Sequence, residues 1–403
     1  MLTEQEALDL ILSSVTPLPS QRVPLREALH GFAAQAIHAT IPLPGFDNSA
    51  MDGYAVRAED THSTDSLRVI GTIAAGDVAT TELEPHTAIR IFTGAPMPAG
   101  ADAVIMQEDV TANAEMKTIV CKEPVEPGEN VRVLGCDLCV GQRIVDKGEP
   151  LGAARLAVLA SQGLTHVEVA AAPRIAVVTT GDELIPPGEP LAPGKLYNSN
   201  GLMLESMLRS VGISSQITSC HLPDDLDATV TTLRDLMGHH DFIILSGGVS
   251  VGEHDFIKPA LKELGIPAEF WRVKVKPGKP VLFAKTSASP RPCHLFGLPG
   301  NPVSSHVTFH LFVRPALLKV LGASDAHLSL PRVRATLTIA MKNRGDRPHY
   351  IRGYHEDGRF SPTGVQQSHA LFSLSRANAL LRMEPEQELA EGEMVAVLLC
   401  DQR

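Results

Sequence analysis

The sequence predicts a multidomain α/β plus β chain centred on an open, mostly parallel α/β sheet. A helical N-terminal domain, an inserted β-rich domain and a C-terminal β-barrel are expected around it. Three observations carry this reading. From about 174 to 322 strand-like apolar runs alternate with helical periodicity across short loops, the pattern of parallel strands joined by crossover helices. After about 330 the apolar residues recur at period two, in RVRATLTIAM, PHYIRGY and MVAVLLC, as a small barrel or sandwich requires. Between Ile41 and about Val140 short apolar runs such as LRVIGTIAAG and ADAVIMQED are cut by Pro and Gly turns, the texture of a small β domain. At 403 residues the chain also exceeds the size at which a single core stops growing.

Taken in order, residues 1 to about 40 read as helix. Leu8, Ile11, Leu12 and Val15 recur at helical spacing, Pro17 and Pro19 interrupt them, and Pro24 to Leu29 starts a second helix with Pro in its first turn. LGAARLAVLASQGL (151 to 164) is helical again, so the β-rich part is expected as an insertion within a helical element. The division that follows is 1–42 with 141–170, then 43–140, 171–325 and 326–403. Within the third segment the strands are RIAVVTT, ISSQITS, DFIILS and the runs around FWRVKV, VLFAK and CHLFGL. The helices are Ser199 to Val211 closed by Gly212, one after Pro223-Asp224-Asp225, FIKPALKEL closed by Gly265, and a long one from Pro302.

Charge narrows the function. Lys plus Arg number 35 against 46 Asp plus Glu, a net charge of -11, which disfavours binding that depends on neutralising a run of phosphates. One Trp and four Tyr leave little for stacking on single-stranded nucleic acid. MLTEQEALDL has neither the basic start nor the apolar core of a signal peptide, and no apolar run is long enough to span a bilayer, so a soluble, cytoplasmic protein is expected. Six cysteines in so long a chain read as reduced thiols. Cys136 and Cys139 alone form a C-x-x-C, in a β-like stretch broken by glycines, and read as structural thiols rather than a metal or redox site. The sixteen histidines show no ligand spacing and read mostly as surface or satisfied residues.

Three glycine-bearing loops follow strands of the α/β segment: Thr179 to Leu184 with Gly181, Asp182 and Glu183; Ser246 to Gly252 with Gly247, Gly248 and Ser250; and Gly297 to Pro302 with Pro299, Gly300 and Asn301. In an open parallel sheet the carboxyl ends of the strands share one edge and ligands bind outside it, so these loops are expected to converge. Small residues, exposed backbone N–H groups and the helix start at Asn301-Pro302 suit a phosphate. The pattern is neither a P-loop nor a dinucleotide fingerprint. Two acidic pairs border the same edge, Asp182 with Glu183 and Glu253 with Asp255. Carboxylates beside phosphate repel unless a hard cation lies between, which points to Mg2+ held by Glu183 and Asp255; capping of the next helices is the simpler alternative for any one of them. Basic charge concentrates in FWRVKVKPGKP, where alternation puts Arg272, Lys274 and Lys276 on one strand face with Lys279 in a turn, either to clamp an anion or to protect an edge strand. Gly45 to Arg57 packs Asp47, Asn48, Ser49, Asp52 and Tyr54 between glycines, which on physical grounds is an ordinary polar turn.

Several long stretches nevertheless resemble the molybdopterin molybdenumtransferase family, which also includes the E domain of gephyrin. They are PGFDNSAMDGYAVR (44–57), RIFTGAPMPAGADAVIMQED (90–109), TTGDEL (179–184), SGGVSVGEHDF (246–256), KPGKP (276–280), GLPGNPVS (297–304) and GVQQSHALFSLSRANAL (364–380), in the family's order from end to end. The resemblance implies the four domains above and an elongated homodimer, with each site between the α/β domain of one subunit and the inserted domain of the other. It carries functional weight onto Asp52, Thr93, Arg132, Asp137, Glu183, Asp255, Lys276, Lys279, Arg352 and Ser368. Of these, reading the residues alone selects only Glu183, Asp255 and the two lysines.

The family's activity is insertion of molybdenum from molybdate into adenylylated molybdopterin with release of AMP, assisted by Mg2+. The implied partners are that substrate, a second copy, the molybdopterin adenylyltransferase and apo-molybdoenzymes. Arg132-Val133-Leu134-Gly135-Cys136-Asp137 departs from an arginine-rich stretch followed by Gly-Glu-Asp, Asn198 stands where an aspartate is usual, and Arg272 where a lysine is frequent. The rival readings are the adenylyltransferase of the preceding step, whose glycine loop continues with threonine where this one has Val249, and a binding scaffold of gephyrin type.

Overall fold

Six strands form the central sheet, in the order Ile217–Leu222, Ile175–Thr180, Phe242–Ser246, His294–Leu298, Leu282–Lys285 and Ala268–Trp271. The first four pair in parallel and the last two join through antiparallel pairings, so only Leu282–Lys285 runs against the rest and the sheet is mostly parallel, as the alternating pattern predicts. Every residue of Ile175–Thr180, Phe242–Ser246 and His294–Leu298 is buried, because helices cover both faces. Successive side chains go to opposite sides: Ile175, Val177, Phe242, Ile244, Phe296 and Leu298 to one core, and Ala176, Val178, Ile243, Leu245 and Leu295 to the other. Burying each large apolar side chain stabilises by roughly 1.5–3 kcal/mol, so polar chemistry is pushed to the strand ends.

The computed structural model describes residues 1–62, 66–213, 216–249, 255–287 and 291–400. Among these residues no helix is long and apolar enough to cross a membrane. The chain divides into two compact units, one of Met1–Gln35, Asp146–Ala157 and Leu164–Arg403, the other of Ala36–Val145 and Val158–Gly163.

In the first unit, helices Ser199–Ser210 and Glu4–Ser14 and the helical run from Pro302 cover one face of the sheet, while Leu226–His239 and Ile257–Glu263 cover the other. The N-terminal helix starts at a reciprocal cap in which Thr3 Oγ1 accepts from Glu6 N and the Glu6 carboxylate accepts from Thr3 N, and it buries Ala7 and Ile11. The second helix expected at Pro24 is absent. Ser20–Pro24 is instead a strand antiparallel to His166–Ala170, followed by a single 3-10 turn, Leu25–Glu27. Val23 lies opposite Val167 there, so the chain enters Pro24 to Leu29 from a strand and the expected helix is reduced to that single turn.

The same unit closes with a five-stranded barrel of Arg332–Leu337, Arg359–Pro362, His349–Glu356, Ala379–Met383 and Met394–Leu399. Ala335, Ile351, Phe360, Leu381 and Val397 fill it, and a Cβ at Gly353 would overlap the Phe360 ring. The second unit holds a six-stranded sheet in the order Ala103–Met106, Gly53–Val56, Thr87–Ile91, Leu67–Ile73, Thr118–Cys121, Val110–Asn113. Gly53 is required in it, since a Cβ would overlap the Ile105 carbonyl.

Candidate functional site

The three strand-end loops of the first unit meet around one open cavity of about 670 Å³, whose wall includes Gly181, Glu183, Ser246, Gly247, Gly248, Pro299, Gly300, Asn301 and Asp255. A Cβ at Gly247, where φ is +99°, would lie 2.7 Å from Thr180 Oγ1, and one at Gly181 would overlap the Glu183 carboxylate. Gly247 N donates to Leu298 O at 3.1 Å, which ties the second loop to the strand leading into the third. Ser250, Gly252 and Glu253 lie outside the described residues.

Asp182 does not belong to this wall. Its backbone N–H donates to the Asp224 carboxylate at 3.4 Å and its own carboxylate accepts from Asp224 N at 3.1 Å, so it fastens the first loop to the segment that leads into helix Leu226–His239. Asp224 takes its place among the lining residues, with Asn198 and Asn200. Asn198 caps helix Ser199–Ser210, accepting from Gly201 N at 3.1 Å while its Nδ2 donates to Thr179 Oγ1 at 2.7 Å. Thr179 Oγ1 in turn meets His221 Nδ1 at 3.2 Å.

The lysines line a second cavity of about 630 Å³ that shares Pro280, Pro299, Asn301 and His369 with the first. Lys276 and Lys279 face it together with Arg347, His349 and Ser368. Their loop is stitched to the barrel: Lys276 N donates to Pro348 O at 2.9 Å and Tyr350 N to Lys276 O at 2.7 Å. Contrary to the alternating-face expectation, the edge strand ends at Trp271, and Arg272 has a left-handed φ of +79° that turns it away from the lysines. Its guanidinium lies 3.8 Å from the Trp271 ring centroid, and Lys258 Nζ covers the same ring at 3.2 Å.

Arg352 is a further departure from expectation. It is 1 % exposed, lies beneath the second cavity rather than in its wall, and donates to the carbonyls of Val365 at 2.6 Å and Gln367 at 3.1 Å. It therefore shapes the segment that presents Gln366, Gln367, Ser368 and His369. Burial lowers its pKa and leaves Nε without a partner. His310 is buried and His306 half-buried, and the Nδ1 of each is enclosed without a partner, so they are neither surface nor fully satisfied residues. His306 is held down to about 4 by burial and then by the Arg352 charge, and His349 to about 4 by burial and then by Lys276 and Arg352.

In the second unit the Asp52 carboxylate accepts from Thr93 N at 2.8 Å and Thr93 Oγ1 at 2.9 Å, contacts that, with Arg90 nearby, keep its pKa low. Arg132 lies in the strand pair Val131–Arg132 with Asn48–Ser49, and Asp137 N donates to Leu43 O at 3.0 Å. Cys136 and Cys139 are both free and exposed, and Cys139 Sγ donates to Gly135 O at 3.3 Å.

Among the described residues no group of three or more His, Cys, Asp or Glu side chains could hold a metal by itself. The first cavity does place Glu183 and Asp255 in one wall, and two carboxylates are the donor set that Mg2+ takes when substrate phosphates and water complete its shell.

Asn200, Asp224, Arg347 and His369 escaped the sequence reading. Asn200 follows the cap signature Asn198-Ser199, and Asp224 stands in Pro223-Asp224-Asp225 before a helix, so a search of helix starts at the sheet edge would have found both.

Three family models match the chain: MoeA N-terminal region (domain I and II) over residues 2–163, probable molybdopterin binding domain over 176–319, and MoeA C-terminal region (domain IV) over 334–400. A molybdopterin molybdenumtransferase of Haemophilus influenzae is 36% identical, over 98% of each chain. One from a Nostoc species is 34% identical, over 99% of this chain and 94% of its own. The crystal structure of a molybdopterin biosynthesis moeA protein from Pyrococcus horikoshii superposes with a TM-score of 0.82 at 31% identity, covering 99% of this chain and all of that one.

Proposed function

Since this chain belongs to the molybdopterin molybdenumtransferase family, we propose that it inserts molybdenum from molybdate into the dithiolene of adenylylated molybdopterin and releases AMP. The observation that carries this reading is the pair of adjoining cavities with opposite charge, carboxylates in one and lysines in the other. The pyrophosphate of the substrate lies over the glycine loops, where the absence of side chains at Gly247, Gly248 and Gly300 allows close approach. Glu183 and Asp255 hold Mg2+, which supplies neutralisation of phosphate charge. Lys276 and Lys279 bind molybdate from the adjoining side. A lysine about 5 Å from one anionic charge gains about 3 kcal/mol at an effective dielectric of about 20, enough to offset the repulsion between two anions. The soft sulfur ligands belong to the substrate, so no protein thiolate cluster is needed.

The same reading makes Ser246, Ser250, Gly252, Ser368, Arg132 and Asp137 substrate-binding, and makes the protein a cytoplasmic homodimer in which Asp52 and Thr93 serve the partner's site. It also divides the chain at 1–42 with 141–170, 43–140, 171–325 and 326–403. The test is incubation of the purified protein with adenylylated molybdopterin, Mg2+ and molybdate, following AMP release and reconstitution of an apo-molybdoenzyme. Molybdate-dependent AMP release that fails in Glu183→Gln is expected. Conversion of ATP and free molybdopterin into the adenylylated form would place the protein one step earlier. Loss of neither activity in the mutant would remove Glu183 from the site.

A further inference from the structure

Helix Ser199–Ser210 begins at the sheet edge, and its first residues touch all three site loops. Asn198 reaches the end of the first strand through Thr179 Oγ1. Asn200, two residues on, uses one amide nitrogen for two acceptors on different loops: Nδ2 donates to Ser246 Oγ at 2.9 Å and to Gly300 O at 2.6 Å. We propose that Asn200 is a positioning residue, a strap whose amide fixes the gap between the second and third loops in which the substrate anion is held.

The geometry makes this more than a local contact. The two hydrogens of a planar amide diverge at a fixed angle, so bonding both sets the separation of their acceptors. Ser246 is 2 % exposed, so its hydroxyl is a well-fixed anchor at the cavity wall. At their base the loops are tied by Gly247 N donating to Leu298 O, and Val249 is anchored in the core. Asn200 adds a side-chain bridge further out, to Ser246 Oγ and to Gly300 O, where Gly300 itself has no side chain to hold the third loop.

Chemistry separates this role from a contribution to folding. Asn200 is the second residue of the helix, a position where a negative charge is favoured by the helix dipole. Asn200→Asp is thus expected to keep or raise thermal stability, yet a carboxylate cannot donate to Gly300 O and adds negative charge beside the anion. It should be at least as damaging to function as Asn200→Ala.

The proposal rests on the transferase reading for its kinetic arm only. For both variants the expected result is a rise of about tenfold or more in KM for adenylylated molybdopterin with kcat changed less, and a melting temperature within a few degrees of the parent. Backbone amide exchange of the whole protein, with no substrate added, should accelerate at 246–249 and at Gly300 and Asn301 in both variants and not in the barrel. Parental exchange in those loops, or Asn200→Asp with parental KM, would overturn the strap. If the parent itself releases no AMP, the reaction assigned above fails while the exchange arm still decides the role of Asn200.

Discussion

The two cavities share a wall and are built in different ways. The carboxylate cavity rests on the ends of neighbouring strands in one sheet, with glycines at positive φ and capped helix starts fixing each loop close to its own strand. The lysine cavity is assembled from distant parts of the chain: Lys276 bonds Pro348 and Tyr350 at the start of a barrel strand, and Arg352 braces 365–367 from beneath. Local patterns specify the first, and long-range packing specifies the second. Damage should follow the same division, with changes in the first cavity acting on the reacting substrate and changes around the second acting on stability and anion affinity.

The largest effect is expected from Glu183→Gln or Asp255→Asn, which should lower AMP release about 1000-fold, roughly 4 kcal/mol of barrier, with little change in unfolding free energy. Arg352→Met should cost roughly 3 kcal/mol of stability in urea titration, since two carbonyls lose their donor in a buried setting; a fully stable mutant would mean that those carbonyls find water. Lys276→Ala should raise the KM for molybdate about tenfold, and the effect should shrink with added salt in the parent.

Acid should act on the barrel side. His306 is held neutral in the fold at about 4 against its ordinary 6.5, so the unfolded chain binds the extra proton between these values. Its contribution is complete above about pH 6.5 and is lost as pH falls towards 4, at about 1.4 kcal/mol per pH unit. His349 acts in the same direction. Replacing His306 with Phe should flatten the fall in melting temperature over that window. The smallest effect is predicted for Arg272→Ala, which should change kcat/KM less than about twofold because the side chain lies on Trp271 instead of facing an anion.

These differences also explain what could be read in advance. The parallel strands, the convergence of three glycine loops and the presence of Glu183 and Asp255 in one wall follow from runs such as DFIILSGG, where burial on both faces and a glycine break are written in adjacent residues. The strand Ser20–Pro24 could not be read the same way, because its partner His166–Ala170 lies far along the chain. Arg272 escaped since a positive φ in a non-glycine residue has no sequence signature, and the lysines were pooled with the carboxylates because nothing local shows that the barrel folds against their loop. Arg352 was marked by resemblance, and only packing shows that it works through the loop above it.

The central claim is that the adjoining cavities divide the two substrates between them. The most direct test is to measure KM for molybdate and for adenylylated molybdopterin separately in the parent and in a Lys276→Ala Lys279→Ala double mutant. A rise of more than about tenfold for molybdate, with the value for adenylylated molybdopterin within about threefold of the parent, is predicted. An equal rise for both substrates would contradict the division and make the two cavities one site.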